Sequence, residues 1–159
     1  ALARLAPVCG ALFVVAAILH AVRLARWAPD RVWAGKLVAV LHVAYAFIPI
    51  GFALAAANTF TADRAFDMAA IHCWAVGAIG LMTLAVMTRA TRGHTGHALV
   101  APPSTILLYV LLAVAAIARI GAVFMQTATP LLTLAGIAWA LAFAGFAIVY
   151  GPMCVAARR

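Results

Sequence analysis

The sequence predicts an all-α protein, a polytopic bundle of five transmembrane helices. Of its 159 residues 69% are hydrophobic and 9% charged, with a mean hydropathy of +1.16. A water-soluble domain of this length needs a far more polar skin. Apolar runs from Leu5 to Ala25, Leu37 to Ala57, Met68 to Thr88, Thr105 to Met125 and Leu131 to Tyr150 supply the spans. Each holds about 20 residues, enough at roughly 1.5 Å per residue to cross a hydrocarbon layer of about 30 Å. The expected helices lie near 5–25, 35–57, 67–89, 104–126 and 130–152, in one membrane-embedded unit covering 1–159.

Arg4 precedes the first run and gives it the look of a signal peptide. Arg23, Arg26 and Arg31 follow it without a small-residue cleavage pattern, as a retained span requires. Trp27 to Trp33, with Pro29 and Asp30, closes this helix, and Asn58 to Arg64 separates the second from the third. Arg89 and Arg92 suit the negative end of the third helix dipole, with Gly93 expected as its C′ residue. Gly93, Gly96, Pro102 and Pro103 then break the chain, and Thr129 and Pro130 read as N-cap and first residue of the fifth helix. An alanine-rich background with Gly77, Gly80, Gly121, Gly136 and Gly145 favours close helix packing in lipid.

Eleven basic residues against three acidic ones give a formal charge of +8. They cluster at helix ends, which suits lipid headgroups and not nucleic acid. Arg23, Arg26, Arg31, Lys36, Arg89, Arg92, Arg158 and Arg159 lie on one side, and Arg4 and Arg64 on the other. The positive-inside rule therefore puts the N-terminus outside and the C-terminus in the cytoplasm. The chain starts without methionine, almost within its first apolar run, and is expected to be a fragment or a processed product.

Polar residues inside the spans are the candidate functional groups. His20 falls about 7 Å, and His42 about 10 Å, from the predicted inner side, so the two can approach each other. Tyr45 shares the face of His42, and Pro49 can kink that helix and free a carbonyl. His72 lies about 7 Å from the opposite side, and Arg119 sits nearer that side too. Arg119 can meet Asp67 or an anionic group of a bound cofactor, and an arginine without such a partner is costly in lipid. Histidine is the usual nitrogen ligand of haem iron and also suits copper; each histidine can equally be a hydrogen-bonded packing residue. His42 and His72 differ in depth by about 10 Å or more, which is wrong for opposite ligands of one upright haem. Two sites, partners outside this chain, or shifted helix ends would each resolve that mismatch.

His94 and His97, in "RGHTGH", form an HxxH pair that converges only on a helix, whereas the flanking glycines favour a turn. With no cysteine or carboxylate nearby, both a metal pair and a hydrated basic loop stay open. Cys9, Cys73 and Cys154 make no CxxC and read as small apolar side chains. GxSxG, HExxH, P-loop, GxGxxG and CxxCH are absent, so no hydrolase, zincin, nucleotide enzyme or covalent haem attachment is indicated. Enzyme status stays open.

"AVLHVAYAFIPIGFAL" (39–54), "AAIHCWAVGAIGLMTLAVMTRATRGHTG" (69–96), the arginine of "AVAAIARI" and "WALAFAGFAIVYGPM" (139–153) together resemble the NnrS family. The resemblance covers nearly the whole chain. It implies a bacterial inner-membrane protein with b-type haem and copper, linked to denitrification and to nitric oxide or nitrosative stress. It also implies that the chain is the C-terminal five-helix portion of a bundle of about twelve helices, whose remaining N-terminal helices are its partners along with the bilayer and an unidentified electron donor. The family's histidines fall on His42, His72 and His94, the metal-site candidates, with His20 and His97 as further candidates from the residues themselves. Tyr45 and Arg119 join His42 and His72 as candidate cofactor contacts. Where similar members often carry arginine after GHTG, this chain has His97, which favours an electrostatic role there.

The leading expectation is thus a haem-binding, copper-associated membrane protein. The alternatives are a transporter or sensor of a small anionic or gaseous species without redox chemistry, and a structural membrane subunit. The orientation is tested by a reporter fusion after residue 100 of the full-length protein. Fluorescence of a cytoplasmic reporter and inactivity of a periplasmic phosphatase are expected, and the reverse pattern overturns the assignment.

Overall fold

The computed structural model describes residues 6–27, 35–125 and 127–155. Among these, five helices are long and apolar enough to cross a membrane: α1 (Ala6–Ala25), α2 (Lys36–Thr61), α3 (Arg64–His94), α4 (Pro103–Ala122) and α5 (Thr129–Val155). They make an all-α multi-pass membrane protein. Its outer face is hydrocarbon, with Ile148 of α5 75% exposed and Leu12 of α1 63% exposed, as lipid contact requires. Pro29, Asp30, Arg31 and Trp33, expected to close the first helix, lie outside the described residues, as do Arg4, Arg158 and Arg159.

The helices run further than hydropathy places them, because a backbone near lipid satisfies its polar groups most cheaply by staying helical. α2 continues through Asn58 to Thr61, so the expected Asn58–Arg64 break shrinks to Ala62 and Asp63. The hydroxyls of Thr59 and Thr61 donate back to the carbonyls of Ala55 and Ala57, at 2.9 and 2.7 Å, and so fit inside the helix. Ala62 ends α2 with φ 57°, and the Asp63 carboxylate caps α3 by accepting from the Ala65 N–H at 2.9 Å.

α3 likewise absorbs Arg89, Arg92 and His94. Its C′ residue is Gly96, with φ +76°, and not Gly93, which is helical. Two bonds close the end: His97 N–H to Arg92 carbonyl at 2.9 Å and Gly96 N–H to Gly93 carbonyl at 3.4 Å, the pairing of a Schellman turn. The Arg92 Nε–H adds a bond to the Ala98 carbonyl at 2.8 Å, so this basic residue also staples the turn. At α5 the Leu132 N–H reaches the Ala128 carbonyl at 2.9 Å, which places Thr129 inside the helix, one residue deeper than an N-cap.

Consecutive helices are antiparallel, as their paired contacts show. Gly10 of α1 faces the Phe60 ring, and Gly51 and Gly77 face Trp74 and Phe47 across the α2–α3 seam. Buried hydroxyl pairs join Thr88 to Tyr109 across α3 and α4, and Thr105 to Tyr150 across α4 and α5. The core between α2, α3, α4 and α5 contains Leu37, Leu81, Leu84, Leu112 and Tyr150. α1 stands at the margin, packed on α2 with only Gly10 buried.

Cys73 to Gly80, in the middle of α3, winds as a π-helix, which the sequence reading did not foresee. It lies opposite Pro49, and the Trp74 indole N–H donates to the Ile48 carbonyl beside that proline at 3.3 Å. A Cβ at Gly51 would sit inside the Trp74 indole. Gly51→Ala is expected to cost about 1–3 kcal/mol by overpacking. Adding Trp74→Leu should recover at least about 0.5 kcal/mol of the sum of the single effects, read by reversible denaturation in micelles. Strict additivity would show that this seam does not carry the contact.

Candidate functional site

One polar cluster lies between α1 and the first half of α2. The His20 Nδ1 is 2.6 Å from the Tyr45 hydroxyl, and the His20 ring stacks on Phe52 with centroids 5.4 Å apart. Tyr45 is buried and touches Trp27 at 4.6 Å, while the Trp27 edge meets the His42 ring at 5.5 Å. The Arg23 guanidinium lies over both Trp27 and Tyr45, at 5.5 and 5.9 Å. His20 and His42 are linked through Tyr45 and Trp27. Sequence reading missed Arg23 and Trp27 here, although Arg23 stands three residues after His20 and Trp27 seven, the spacing of one helix face.

His42 also borders an open groove of about 790 Å³. Ala17, Ala21 and Ala25 of α1 and Ala46, Pro49 and Ala53 of α2 line it, and His42 is the polar side chain of that lining. Small side chains at these positions leave the space that leucines would fill. The Nδ1 of His42 lies 3.4 Å from the Val38 carbonyl, and its Nε2 lies 3.5 Å from the Trp27 carbonyl. Only one nitrogen of a neutral imidazole carries hydrogen. When Nδ1 holds it toward Val38, Nε2 keeps its lone pair for a ligand.

A second, smaller cleft of about 250 Å³ lies between α3, α4 and α5, toward the other end of the bundle. His72, where α3 passes into its π stretch, and Arg119, in the last turn of α4, both line it with Trp139 and Gly136 of α5. His42 and His72 thus open on different cavities. Asp67, the anticipated partner of Arg119, is exposed on the first turn of α3 and does not line the cleft.

His94 closes α3 and is exposed; His97 follows the turn, exposed, with its Nδ1 2.9 Å from the Thr95 hydroxyl. Neither lines the groove or the cleft. Cys73 is buried, Cys9 and Cys154 are exposed, and all three are free. Among the described residues no group of three histidine, cysteine, aspartate or glutamate side chains converges to hold a metal ion.

The chain matches the profile of the NnrS family, described as NnrS protein, over residues 1–158. It belongs to the NnrS family. No curated protein and no solved structure matches it significantly.

In this NnrS chain the histidines at 42, 72 and 94 are spread over a groove, a cleft and a surface turn. His20 and Tyr45 form a closed pair whose hydroxyl and ring nitrogen satisfy each other. Tyr45→Phe and His20→Ala are each expected to lower stability by about 0.6–1.7 kcal/mol, from the average to the largest value measured for hydrogen bonds between membrane helices. Their double mutant should fall well short of the sum in the same denaturation assay, whereas independent effects would remove the pair as a unit.

Proposed function

We propose that this NnrS-family chain holds a non-covalent b-type haem against the α1–α2 groove with His42 as an iron ligand, and serves a bacterial response to nitric oxide or nitrosative stress linked to denitrification. The observation that carries this reading is the groove itself. Its volume of about 790 Å³ lies within the range of roughly 300–1,000 Å³ usual for cofactor sites. An apolar wall with one imidazole suits the flat hydrocarbon face and nitrogen-ligated iron of a haem. Bound there, haem supplies an iron centre able to take a diatomic gas and one electron.

The chain's own residues do the rest. With its proton on Nδ1 toward the Val38 carbonyl, Nε2 of His42, which lies 3.5 Å from the Trp27 carbonyl, would be the nitrogen that holds iron. Trp27 packs edge-on against the ring and fixes its plane. The alanine wall keeps water from the bound face and so favours a neutral, apolar ligand. In this reading the preceding helices of a bundle of about twelve cover the open groove. The orientation that accompanies the reading has the N-terminus outside and the C-terminus in the cytoplasm of an inner membrane.

The described residues do not fit copper as a closed site, since no three suitable ligands converge, and no step is derived through it. His72 and His94 would serve a second metal only with ligands from beyond them, and the cleft at His72, about 250 Å³, is far smaller than the α1–α2 groove. A second reading, transport or sensing of an anion without redox chemistry, draws on the Arg119 cleft.

Full-length protein purified in detergent is expected to show a Soret band that His42→Gly removes and added imidazole restores, while His72→Ala keeps it. Rescue by imidazole separates ligand loss from misfolding. An undiminished Soret band in His42→Gly overturns the assignment.

A further inference from the structure

We propose that the cleft between α3, α4 and α5 is a binding site for a small inorganic anion, held by Arg119 and His72. The site stands apart from the haem groove: it is built from other helices and lies toward the other end of the bundle.

Arg119 is charged under any physiological condition and is the one charged residue of α4, a helix set among lipid and protein. It is only partly exposed. His72, the other basic group of the lining, comes from a different helix, so two groups of donor character face one space. The remaining lining is apolar: Val76, Ala115, Leu132, Ala135, Gly136 and Trp139. No carboxylate is among these residues. Asp63 is engaged as the cap of α3, and Asp67 is exposed outside the cleft. A cation in an apolar cleft gains most from an anion brought to it, and a guanidinium presents a planar fork of N–H donors suited to oxyanions.

Size sets the class of ligand. The cleft, at about 250 Å³, has about a third of the volume of the α1–α2 groove at about 790 Å³. With Arg119 as its fixed charge it suits a small monovalent anion such as nitrite, nitrate or a halide with its residual water. Open space adjoins Gly136, where a Cβ would meet nothing within 4 Å. The apolar lining favours a weakly hydrated anion over a strongly hydrated one such as sulfate.

Trp139 in the lining makes the test direct. Full-length protein in detergent is titrated with sodium iodide at constant ionic strength, and the Trp139 signal is taken as the difference between wild type and Trp139→Phe. Saturable quenching in the millimolar range is expected, reversed by nitrite or nitrate and hardly by sulfate. Arg119→Gln should raise the half-saturating concentration at least about tenfold, the worth of one charge-assisted hydrogen bond. Arg119→Lys should keep most of the affinity and so separates loss of charge from loss of fold, and Asp67→Asn should change nothing. Linear quenching in wild type, equal affinity in Arg119→Gln, or reversal by phosphatidylglycerol but not by nitrite overturns the proposal; the last outcome would give the arginine to a lipid headgroup. Haem content measured on the same preparations keeps this result independent of the His42 assignment.

Discussion

The close approach of α2 and α3 is the contact on which the rest of the bundle depends. Gly51 takes the Trp74 indole and Gly77 takes the Phe47 ring, so each helix supplies one hole and one knob. In lipid no hydrophobic force draws helices together, and such fitted surfaces must supply the attraction by dispersion. The seam has to accommodate Pro49 on one side and bulky indole on the other. α3 meets that demand by widening into a π stretch from Cys73 to Gly80, a turn that takes in one more residue than an α turn. His72 lies at the start of this stretch and Leu81 at its end. The register change therefore decides which way His72 faces relative to Thr88 and the tightly packed half of α3. The same seam leaves α1 on one side, where the groove opens, and α4 and α5 on the other, where the cleft opens.

Polar groups in the bundle divide into those that close on one another and those that open on a cavity. Thr88 with Tyr109, Thr105 with Tyr150, Trp74 with the Ile48 carbonyl, and His20 with Tyr45 all have their partner inside the chain. Such pairs fix helix rotation and depth, because breaking one leaves a donor with no water to turn to. His42, His72 and Arg119 differ: each lines a cavity with apolar walls. The distinction is geometric: the first set closes within the chain, and the second is left facing cavities. His20, an equal of His42 in sequence, differs from it in setting: its ring is stacked on Phe52, its Nδ1 meets the Tyr45 hydroxyl, and it lines neither the groove nor the cleft.

The five spans were legible because length and hydropathy act on each helix separately. Their ends were less so. Gly93 and Gly96 both look like helix stops, but only one can stand at the left-handed position, and the choice follows from which register lets His97 N–H reach the Arg92 carbonyl and Arg92 reach Ala98. Asn58, Thr59 and Thr61 read as a loop because their polarity was weighed without the backbone carbonyls that their hydroxyls find inside a helix. The depth argument placed His42 and His72 on different levels, and they do line different cavities. Rotation is what periodicity failed to give. Every face of an alanine-rich membrane helix is apolar, so no stripe marks which way Arg119 or Tyr45 points. The π stretch was hidden for the same reason, since it depends on how Trp74 and Gly77 meet Gly51 and Phe47 of the neighbouring helix.

The two cavities differ in what they admit, and the difference follows from their walls. Around His42 the alanine surface is broad and carries no fixed charge on the groove side, so a large flat apolar group gains by burial over its whole face. Around Arg119 the space is small and the charge cannot be switched off. A neutral gas molecule gains little there, and an anion gains much. An anion in the α1–α2 groove would meet the opposite case, with hydrocarbon on nearly every side and one imidazole. In the proposed role the chain would meet both kinds of species, neutral oxides and their anionic products. An apolar groove held apart from a cationic cleft, with the tight α2–α3 seam between them, would let one small bundle distinguish the two without any moving part.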